Sequence, residues 1–303
     1  MSIKNNPLLY PLLALVKCIG RHFPERLVKL RYLIRFKRFL NLKNPKTLNE
    51  KILYLSLRTD TSLWTQLADK YSVRKYVSEC GLSETLVPLL GYWRRAEDID
   101  FEKLPSSFVL KTTQGSGDIV LVKDKLSIDQ EYVRGLMKRA VSTRYGELEG
   151  GKHYMRIVPG IIAEALLNND DESLMASTSI IDYKIWCFNG KAHYIWVCCN
   201  RDKDGTEVMT YDMSWSAHPE YSLFTPHYRR GKTIPKPHNF ERMIEVAETL
   251  AKPFPVVRVD LYNIGGKIYF GEMTFTSLGG LMDFYTDEFQ RMTGDIININ
   301  YKG

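Results

Sequence analysis

A lysine at the end of a short apolar segment is followed by a loop of hydroxyl-bearing and glycine residues. Lys111 closes the segment FVLK, and the loop TTQGSGD (residues 112–118) leads into a second apolar segment, IVLV. Glycines let backbone N–H groups approach an anion closely, and a lysine adds a compact positive charge. The pattern fits a phosphate-binding hairpin, although it is not a Walker A loop. An ordinary β-hairpin with a flexible tip is the alternative.

Two carboxylates, an arginine and a threonine lie in the last pair of apolar segments. Arg258 and Asp260 belong to VVRVDLY. Glu272 and Thr274 belong to KIYFGEMTF. Side chains two residues apart share one face of a strand, and a three-residue loop at 264–266 would place Arg258 opposite Glu272. All four would then face one side, where Mg²⁺ finds oxygen ligands beside substrate phosphates. A solvent-facing hairpin with a cross-strand ion pair is the alternative.

Three further charged residues have no distinctive spacing by themselves. Glu164 ends the segment IIAE, Lys184 lies in DYKIW, and Lys70 lies in ADKY. An acid at the end of a strand can accept hydrogen bonds from ribose hydroxyls or an adenine amine. Lysines in such places are more often solvated surface residues than ligands.

The elements that would position these residues alternate between helical and extended patterns. The sequence predicts helices at residues 49–58, 62–80, 128–141 and 240–251. It predicts strands at residues 108–111, 119–122, 161–167, 180–188, 193–199, 256–262 and 267–275. Asn189 and Gly190 indicate a hairpin turn.

The composition is typical of a packed globular protein, with 303 residues, 44% hydrophobic and 25% charged. The five cysteines form no CxxC pair and the six histidines no HxxxH spacing, which excludes the common zinc sites and favours a reducing, cytosolic setting. The longest apolar run, residues 8–16, is too short to span a bilayer, which needs about 20 residues. A cleaved signal peptide is also disfavoured.

Basic residues concentrate at the N-terminus. Residues 1–46 contain eleven Lys and Arg against the single acid Glu25, whereas the remaining chain has a net charge of −3. Basic and apolar residues interleave from Arg21 to Leu40, which predicts a basic amphipathic helix. Such a helix binds anionic membranes or polyanions, or packs its apolar stripe on the body. Nucleic-acid binding is not expected, because no reading module occurs.

The order of these features along the chain resembles the ATP-grasp superfamily. More narrowly, the phrases NPKTLNEKILYL, LADKYSVRKYV, LPSSFVLKTTQGSGDIVLVKDK, DYKIWCFNGK and PFPVVRVDLYNIGGKIYFGEMTF are similar to the TupA-like ATP-grasp family, over residues 41–280. The resemblance implies an α+β ATP-grasp fold, in which two α+β subdomains clasp ATP between antiparallel sheets. We predict a basic helical segment at residues 1–60, a smaller subdomain with the glycine loop at 61–165, and a larger one with the metal site at 166–303.

The resemblance also implies a role for each candidate residue. The nucleotide would be held by Lys70, Lys111, the loop residues Gln114, Gly115, Ser116 and Gly117, and, at adenosine, Glu164 and the backbone near Leu166. Mg²⁺ would be bound by Asp260, Glu272 and Thr274, the last standing where many ATP-grasp ligases have asparagine. Arg258 would stabilise the phosphoryl group and a tetrahedral oxyanion, and Lys184 would assist near the γ-phosphate.

Members of this family are associated with bacterial surface polysaccharide and teichuronopeptide synthesis. The resemblance therefore implies an ATP-dependent carboxylate–amine ligase that forms an acyl phosphate and releases ADP and phosphate. It would join an amino acid or amine to a uronic acid of a bacterial surface polysaccharide or its precursor. We expect a cytoplasmic enzyme, and as a hypothesis residues 1–46 contact the anionic inner face of the membrane.

Two other functional classes stay open from the sequence. A glycosyltransferase would use a nucleotide-sugar, and Asp202-Lys203-Asp204 matches its DxD motif literally. The favoured interpretation of that stretch is a polar turn beside Gly205. The other class is a noncatalytic nucleotide-binding scaffold, which the joint presence of Lys111, Asp260 and Glu272 argues against.

Overall fold

The strands form two separate sheets in the computed structural model, which describes residues 10–115 and 117–303. The smaller sheet contains β1 (Leu89–Trp93), β2 (Phe108–Thr112), β3 (Ile119–Val122) and β4 (Ile161–Ala165). Its strands are antiparallel, in the order β1-β4-β2-β3. The predicted hairpin on either side of the glycine loop is therefore confirmed.

The larger sheet is built from the C-terminal half of the chain. It contains β5 (Asp182–Phe188), β6 (Lys191–Cys199), β7 (Thr206–Asp212), β8 (Tyr228–Arg230), β9 (Val256–Ile264) and β10 (Lys267–Thr274). The order is β10-β9-β5-β6-β7-β8, and only the β7–β8 pair is parallel. Asn189 and Gly190 both have positive φ between β5 and β6, as the predicted turn requires.

The described helices surround these sheets. They are α1 (Tyr10–His22), α2 (Pro24–Phe36), α3 (Leu48–Arg58), α4 (Ser62–Ala68), α5 (Val73–Glu79), α6 (Gln130–Ser142), α7 (Lys152–Met155), α8 (Asp171–Ala176), α9 (Phe240–Ala251) and α10 (Asp287–Ile296). The helix predicted at 240–251 is confirmed at both ends. Thr47 begins α3 with a capping box, because its side chain accepts from the Glu50 N–H while the Glu50 carboxylate accepts from the Thr47 N–H.

The single helix predicted over residues 62–80 is wrong. Two helices, α4 and α5, are separated by a turn at residues 69–72. The Asp69 carboxylate causes this break, because its Oδ1 accepts hydrogen bonds from the N–H groups of Tyr71 and Ser72, at 2.9 and 2.7 Å. The turn places Lys70 outside both helices.

The register predicted for the last hairpin is also wrong. Its turn has two residues, Gly265 and Gly266, both with positive φ, so that Ile264 pairs with Lys267. A bulge between Phe270 and Glu272 then shifts the register further. As a result Asp260 lies opposite Glu272, and Arg258 lies opposite Thr274 instead of Glu272.

The core of the larger sheet includes residues from well outside it. Side chains of α3, α4 and α5, including Ile52, Trp64 and Val77, are buried in the same apolar cluster as β5, β9 and α9. A second cluster fills the space between the smaller sheet and α6. The division at residues 60 and 165 stays a prediction, and the helices at 62–79 pack with the larger core.

The basic N-terminal segment forms two helices instead of one. The chain turns at Phe23 and Pro24, and α2 buries Leu27 as well as Val28 and Tyr32, the last two in a small cluster with α3. Part of the apolar stripe therefore packs on the body, as the alternative interpretation expects. None of the helices formed by residues 10–115 and 117–303 is both long and apolar enough to cross a membrane.

Candidate active site

A cavity of about 520 Å³ is lined by residues of both sheets. The smaller sheet contributes Lys111, Thr112 and Ile119, together with the glycine loop between β2 and β3. The larger sheet contributes five charged residues and a threonine from three neighbouring strands: Asp182, Lys184, Arg258, Asp260, Glu272 and Thr274. The cavity thus brings together the two groups of candidate residues, around Lys111 and around Arg258, that lie about 150 residues apart in the sequence.

Lys70 fastens the glycine loop from the side of the turn between α4 and α5. Its Nζ donates to the Gly115 carbonyl at 2.5 Å, and its backbone N–H donates to the Thr113 carbonyl at 2.9 Å. Burial lowers the pKa of the Lys70 ammonium. A buried ammonium beside a glycine loop is suited to a strongly anionic ligand, because such a ligand offsets its desolvation.

Glu164 is held between two cations on the smaller sheet. Its Oε2 accepts from Lys111 Nζ at 2.8 Å, and its Oε1 accepts from Arg74 Nη1 at 3.1 Å. Arg74 also donates to the Val87 carbonyl at 2.8 Å, which fixes it against the segment just before β1. Arg74 was not predicted as a site residue. In the sequence, only its position within the phrase LADKYSVRKYV distinguishes it from other arginines.

Asp260 is the centre of the charged cluster on the larger sheet. Arg258 donates to it through Nε at 2.6 Å and through Nη2 at 2.7 Å, and Lys184 Nζ approaches Asp260 Oδ2 at 2.5 Å. Burial opposes the charge of Arg258, but the Asp260 carboxylate outweighs it and raises the pKa of the guanidinium. Burial likewise disfavours the charged Asp260, yet Arg258 and Lys184 lower the pKa of that carboxyl. Burial opposes the charge of Lys184 as well, but the Asp182 and Asp260 carboxylates raise its pKa, so Arg258, Asp260 and Lys184 are all ionised at neutral pH.

Glu272 and Thr274 complete the face that β9 and β10 present to the cavity. Thr274 Oγ1 donates to Glu272 Oε1 at 2.8 Å and accepts from Arg258 Nη2 at 3.1 Å. The expectation that the four residues of this hairpin share one face is confirmed, although their register differs. The Glu272 side chain is about one-third exposed, so a ligand can reach it.

The oxygen atoms of Asp260, Glu272 and Thr274 on this face are chemically suited to bind magnesium. Carboxylates and a hydroxyl are the hard donors that Mg²⁺ prefers, and the ion usually keeps part of its shell for phosphates or water. Within the described part of the chain no group of three or more His, Cys, Asp or Glu could hold a metal ion. An ion bound by Asp260, Glu272 and Thr274 would take its remaining ligands from phosphates or water.

Several predicted residues do not line the cavity. Gln114 is buried and donates to the Thr143 carbonyl at 3.5 Å, and Leu166 lies just beyond β4. Glu164 reaches the cavity only through its contact with Lys111. Ser116 lies outside the described residues. Asp202 accepts from the N–H groups of Asp204 and Gly205, which confirms a turn at the DxD-like stretch.

Two charged residues that line the cavity were not predicted as site residues from the sequence. Asp182 lies two residues before Lys184 on β5 and contacts its Nζ at 2.6 Å. Strand periodicity alone could have indicated that these two side chains share a face. Arg201 follows β6 and lines the same cavity, but no local pattern separates it from other loop arginines.

The family described as TupA-like ATPgrasp matches residues 50–298, which is well over half of the chain. The chain belongs to the TupA-like ATP-grasp family. Its ATP-grasp fold follows from that membership and agrees with the two sheets and the cavity between them. The comparison with curated proteins finds no relative that matches this TupA-like chain.

Solved structures with a similar arrangement include ligases. The D-alanine–D-alanine ligase of Bacillus anthracis complexed with ATP is 14% identical, with a TM-score of 0.45, over 77% of this chain and 62% of that one. The L-amino acid ligase of Bacillus licheniformis is also 14% identical, with a TM-score of 0.43, over 82% and 53%. A second structure of the B. anthracis ligase is matched over 57% of its length. This chain therefore spans less than two-thirds of the length of each of these three structures.

Proposed function

We propose that this TupA-like ATP-grasp protein is an ATP-dependent carboxylate–amine ligase. The observation that carries the proposal is the composition of the cavity wall. Lys70, Lys111 and the glycine loop lie on one side, and Asp260 and Glu272, bound to Arg258, lie on the other. Phosphoryl transfer depends mainly on positioning and on neutralising spread-out charge, which this set of residues supplies.

In the first step, Lys70 and Lys111 hold the nucleotide phosphates beneath the glycine loop, and adenosine extends beyond the cavity to Glu164 and the backbone near Leu166. A substrate carboxylate oxygen attacks the γ-phosphorus, the bond to the β–γ bridging oxygen breaks, and ADP leaves. Arg258 and Lys184 neutralise the charge that develops on the transferred group. Magnesium would be held by Asp260, Glu272 and Thr274 and would supply further positive charge to the phosphates.

In the second step, an amine attacks the carbonyl carbon of the acyl phosphate. Arg258 is 6% exposed and lines the cavity, and its guanidinium stabilises the tetrahedral oxyanion. The C–O bond to phosphate then breaks, the amide forms, and the amine proton leaves with phosphate or water. This chemistry requires no nucleophilic side chain, in accord with a sequence that offers no serine or cysteine triad.

The substrates we propose are a uronic acid of a bacterial surface polysaccharide, or its precursor, and an amino acid or other amine. The support is the family association with surface polysaccharide and teichuronopeptide synthesis, together with the basic N-terminal segment. Residues 1–46 carry a net charge of +10, which favours an anionic acceptor.

We further propose that the enzyme is cytoplasmic and contacts the inner face of the membrane through α1 and α2. Leu12, Leu15, Leu30 and Ile34 are each more than half exposed on these helices. Ion pairs of Arg21 with Glu147 and of Arg35 with Asp283 hold the helices on the body. Exposed apolar side chains beside basic residues are the features that bind anionic lipid surfaces. Residues 1–9 lie outside the described part of this segment.

The test is nucleotide turnover by the purified protein with ATP and Mg²⁺. Pools of the twenty amino acids and of glucuronate and galacturonate are supplied separately and together, while ADP, AMP, phosphate and UDP are measured independently. We expect ADP and phosphate only when both pools are present. Asp260→Asn should abolish this turnover, whereas Arg229→Gln, which breaks a surface pair with Asp202, should not change it. Absence of ATP binding with UDP release from a sugar donor would favour a glycosyltransferase instead.

A further inference from the structure

Asp182 is a buried carboxylate with one unused oxygen at the edge of the cavity. Its side chain is only 7% exposed, and its Oδ2 contacts Lys184 Nζ at 2.6 Å. Its Oδ1 is buried and has no hydrogen-bond partner among the described residues. A buried acceptor without a donor is costly, and such groups in native proteins call for an explanation. A ligand that enters the cavity can supply the missing donor.

The position of Asp182 ties it to the reacting centre. Lys184 Nζ bridges the Asp182 and Asp260 carboxylates, at 2.6 and 2.5 Å, so the three groups form one continuous contact. Asp182 lies on β5, which pairs with β9, the strand that carries Arg258 and Asp260. A donor group held on Asp182 Oδ1 is therefore next to the place proposed for the acyl phosphate.

Arg201 stands beside Asp182 in the cavity wall. Its Nη2 lies 3.5 Å from Asp182 Oδ2, and its side chain is 57% exposed. Among the described residues its hydrogen bonds engage Nε and Nη2. The guanidinium is therefore accessible to an anionic group of a ligand bound at Asp182. Tyr228 and Phe284 also line the cavity.

The acids and bases on the larger-sheet side of the cavity are equal in number. Asp182, Asp260 and Glu272 lie with Lys184, Arg201 and Arg258, while Lys70, Lys111 and Asp118 line the opposite side. A ligand with one positive and one negative group adds no net charge to this set of residues. A simple ammonium would add an unpaired positive charge. The adjacent carboxylate and guanidinium also match the ammonium and carboxylate that an α-amino acid carries on one carbon.

We propose that Asp182 and Arg201 form the binding subsite for the amine substrate, and that this substrate is an α-amino acid. Its ammonium group donates to Asp182 Oδ1, and its carboxylate accepts from Arg201. The inference rests on the proposed ligase function and goes beyond it by naming the class of amine and the residues that select it. Asp182 and Arg201 act here as specificity residues, and the phosphoryl transfer itself is left to Lys184, Arg258 and Asp260.

The experiment compares each active amino acid with its decarboxylated amine, using the full chain with ATP, Mg²⁺ and the uronic acid that supports turnover. The wild type should favour the amino acid by at least about tenfold in kcat/KM, as expected for a charge-assisted hydrogen bond. Arg201→Gln should remove this preference by raising KM for the amino acid alone. Asp182→Asn should raise KM for both amines by about tenfold or more and leave KM for ATP unchanged.

Arg229→Gln is the matched control, because it removes an equal charge on a nearby strand outside the cavity. Unchanged amino-acid KM values in both Arg201→Gln and Asp182→Asn would overturn the subsite while the ligase stands. Titration of a non-hydrolysable ATP analogue checks that each variant is folded. If Asp182→Asn does not fold, Arg201→Gln and Arg201→Lys still decide the question.

A second measurement separates the two proposals. Each of the twenty amino acids is titrated by calorimetry into wild-type protein saturated with the ATP analogue. Saturable binding that is weakened in Arg201→Gln supports the subsite even if turnover is never found. Absence of binding by every amino acid, or binding that both variants retain, overturns it. Failure of turnover with intact amino-acid binding would instead count against the ligase.

Discussion

Thr274 controls the position of Glu272 at the mouth of the proposed magnesium site. Its hydroxyl bridges Glu272 Oε1 and Arg258 Nη2 at 2.8 and 3.1 Å. A hydroxyl is a weaker magnesium ligand than an amide carbonyl. We expect Thr274→Asn to lower the Mg²⁺ concentration for half-maximal turnover several-fold, and Thr274→Val to raise it. Magnesium titrations of ATP turnover measure both, and equal values in the three proteins would remove Thr274 from the metal site.

His153 is a buried base whose role is structural. It is fully buried between Trp64, Tyr154 and Phe275, and both ring nitrogens lack partners among the described residues. Burial lowers the pKa of His153 to about 3. The unfolded chain therefore binds a proton on this ring near pH 6 that the folded chain does not, so stability falls as the pH drops from about 6.5 towards 3.

His153→Phe should remove this dependence. Between pH 6.5 and 5 the wild type should lose about 1.7 kcal/mol more of unfolding free energy than the variant, because the unfolded ring is half protonated at pH 6.5 and the slope approaches about 1.4 kcal/mol per pH unit only at lower pH. Urea unfolding at the two pH values measures the difference. The comparison uses each protein as its own reference, so any packing change caused by phenylalanine cancels. Parallel losses in both proteins would show that His153 is not the group responsible.

The glycine loop between β2 and β3 depends on a close contact between its backbone and the Tyr145 ring. Gly115 and Gly117 both have positive φ, at 73° and 91°. A Cβ at Gly115 would lie 2.5 Å from the Tyr145 ring, whereas a Cβ at Gly117 would meet nothing within 4 Å. An alanine at either position would have a strained backbone, because φ is positive at both. Only at Gly115 would its Cβ also clash with another side chain.

We therefore expect Gly115→Ala to weaken ATP binding by about tenfold or more, and Gly117→Ala by less, because only the former displaces the loop against Tyr145. The Lys70 bond to the Gly115 carbonyl would be lost with that displacement. Calorimetric titration with an ATP analogue measures both variants. Equal effects would indicate that backbone strain alone, and not the contact with Tyr145, limits the loop.

At the scale of the whole molecule, the N-terminal helices separate the charge of the protein into two regions. A net charge of +10 lies in residues 1–46 and −3 in the remainder. Full-length protein should bind vesicles that contain phosphatidylglycerol, and binding should weaken severalfold when salt is raised from 50 to 500 mM. Co-sedimentation with charged and neutral vesicles measures both effects.

The apolar part of that surface is tested by a double variant, Leu12→Asp with Leu15→Asp. We expect it to reduce vesicle binding at all salt concentrations, because two exposed apolar side chains of α1 are replaced by acids. Leu223→Asp is the control, since Leu223 is half exposed but lies outside the N-terminal helices. Binding that is absent, or insensitive to salt, would contradict the membrane proposal.

Much of the chemistry follows from local sequence. The lysine and glycine loop at 111–117, the alternation of Arg258 with Asp260, and the turn at Asn189 and Gly190 depend on neighbours a few residues away. Backbone preferences and strand periodicity act over that distance, so the pattern predicts them directly. The family phrases then supply the order of the elements, which is why an α+β ATP-grasp fold could be expected before any coordinates.

Only the tertiary structure decided which of these residues meet. The bulge on β10 sets Asp260 against Glu272, and the Asp69 turn directs Lys70 to the Gly115 carbonyl. Asp182 acquires its significance only through Lys184 and through an oxygen that packing leaves without a donor. Such pairings join residues that are distant in sequence, and their geometry is fixed by how sheets and helices pack. Local propensity contains no information about that packing.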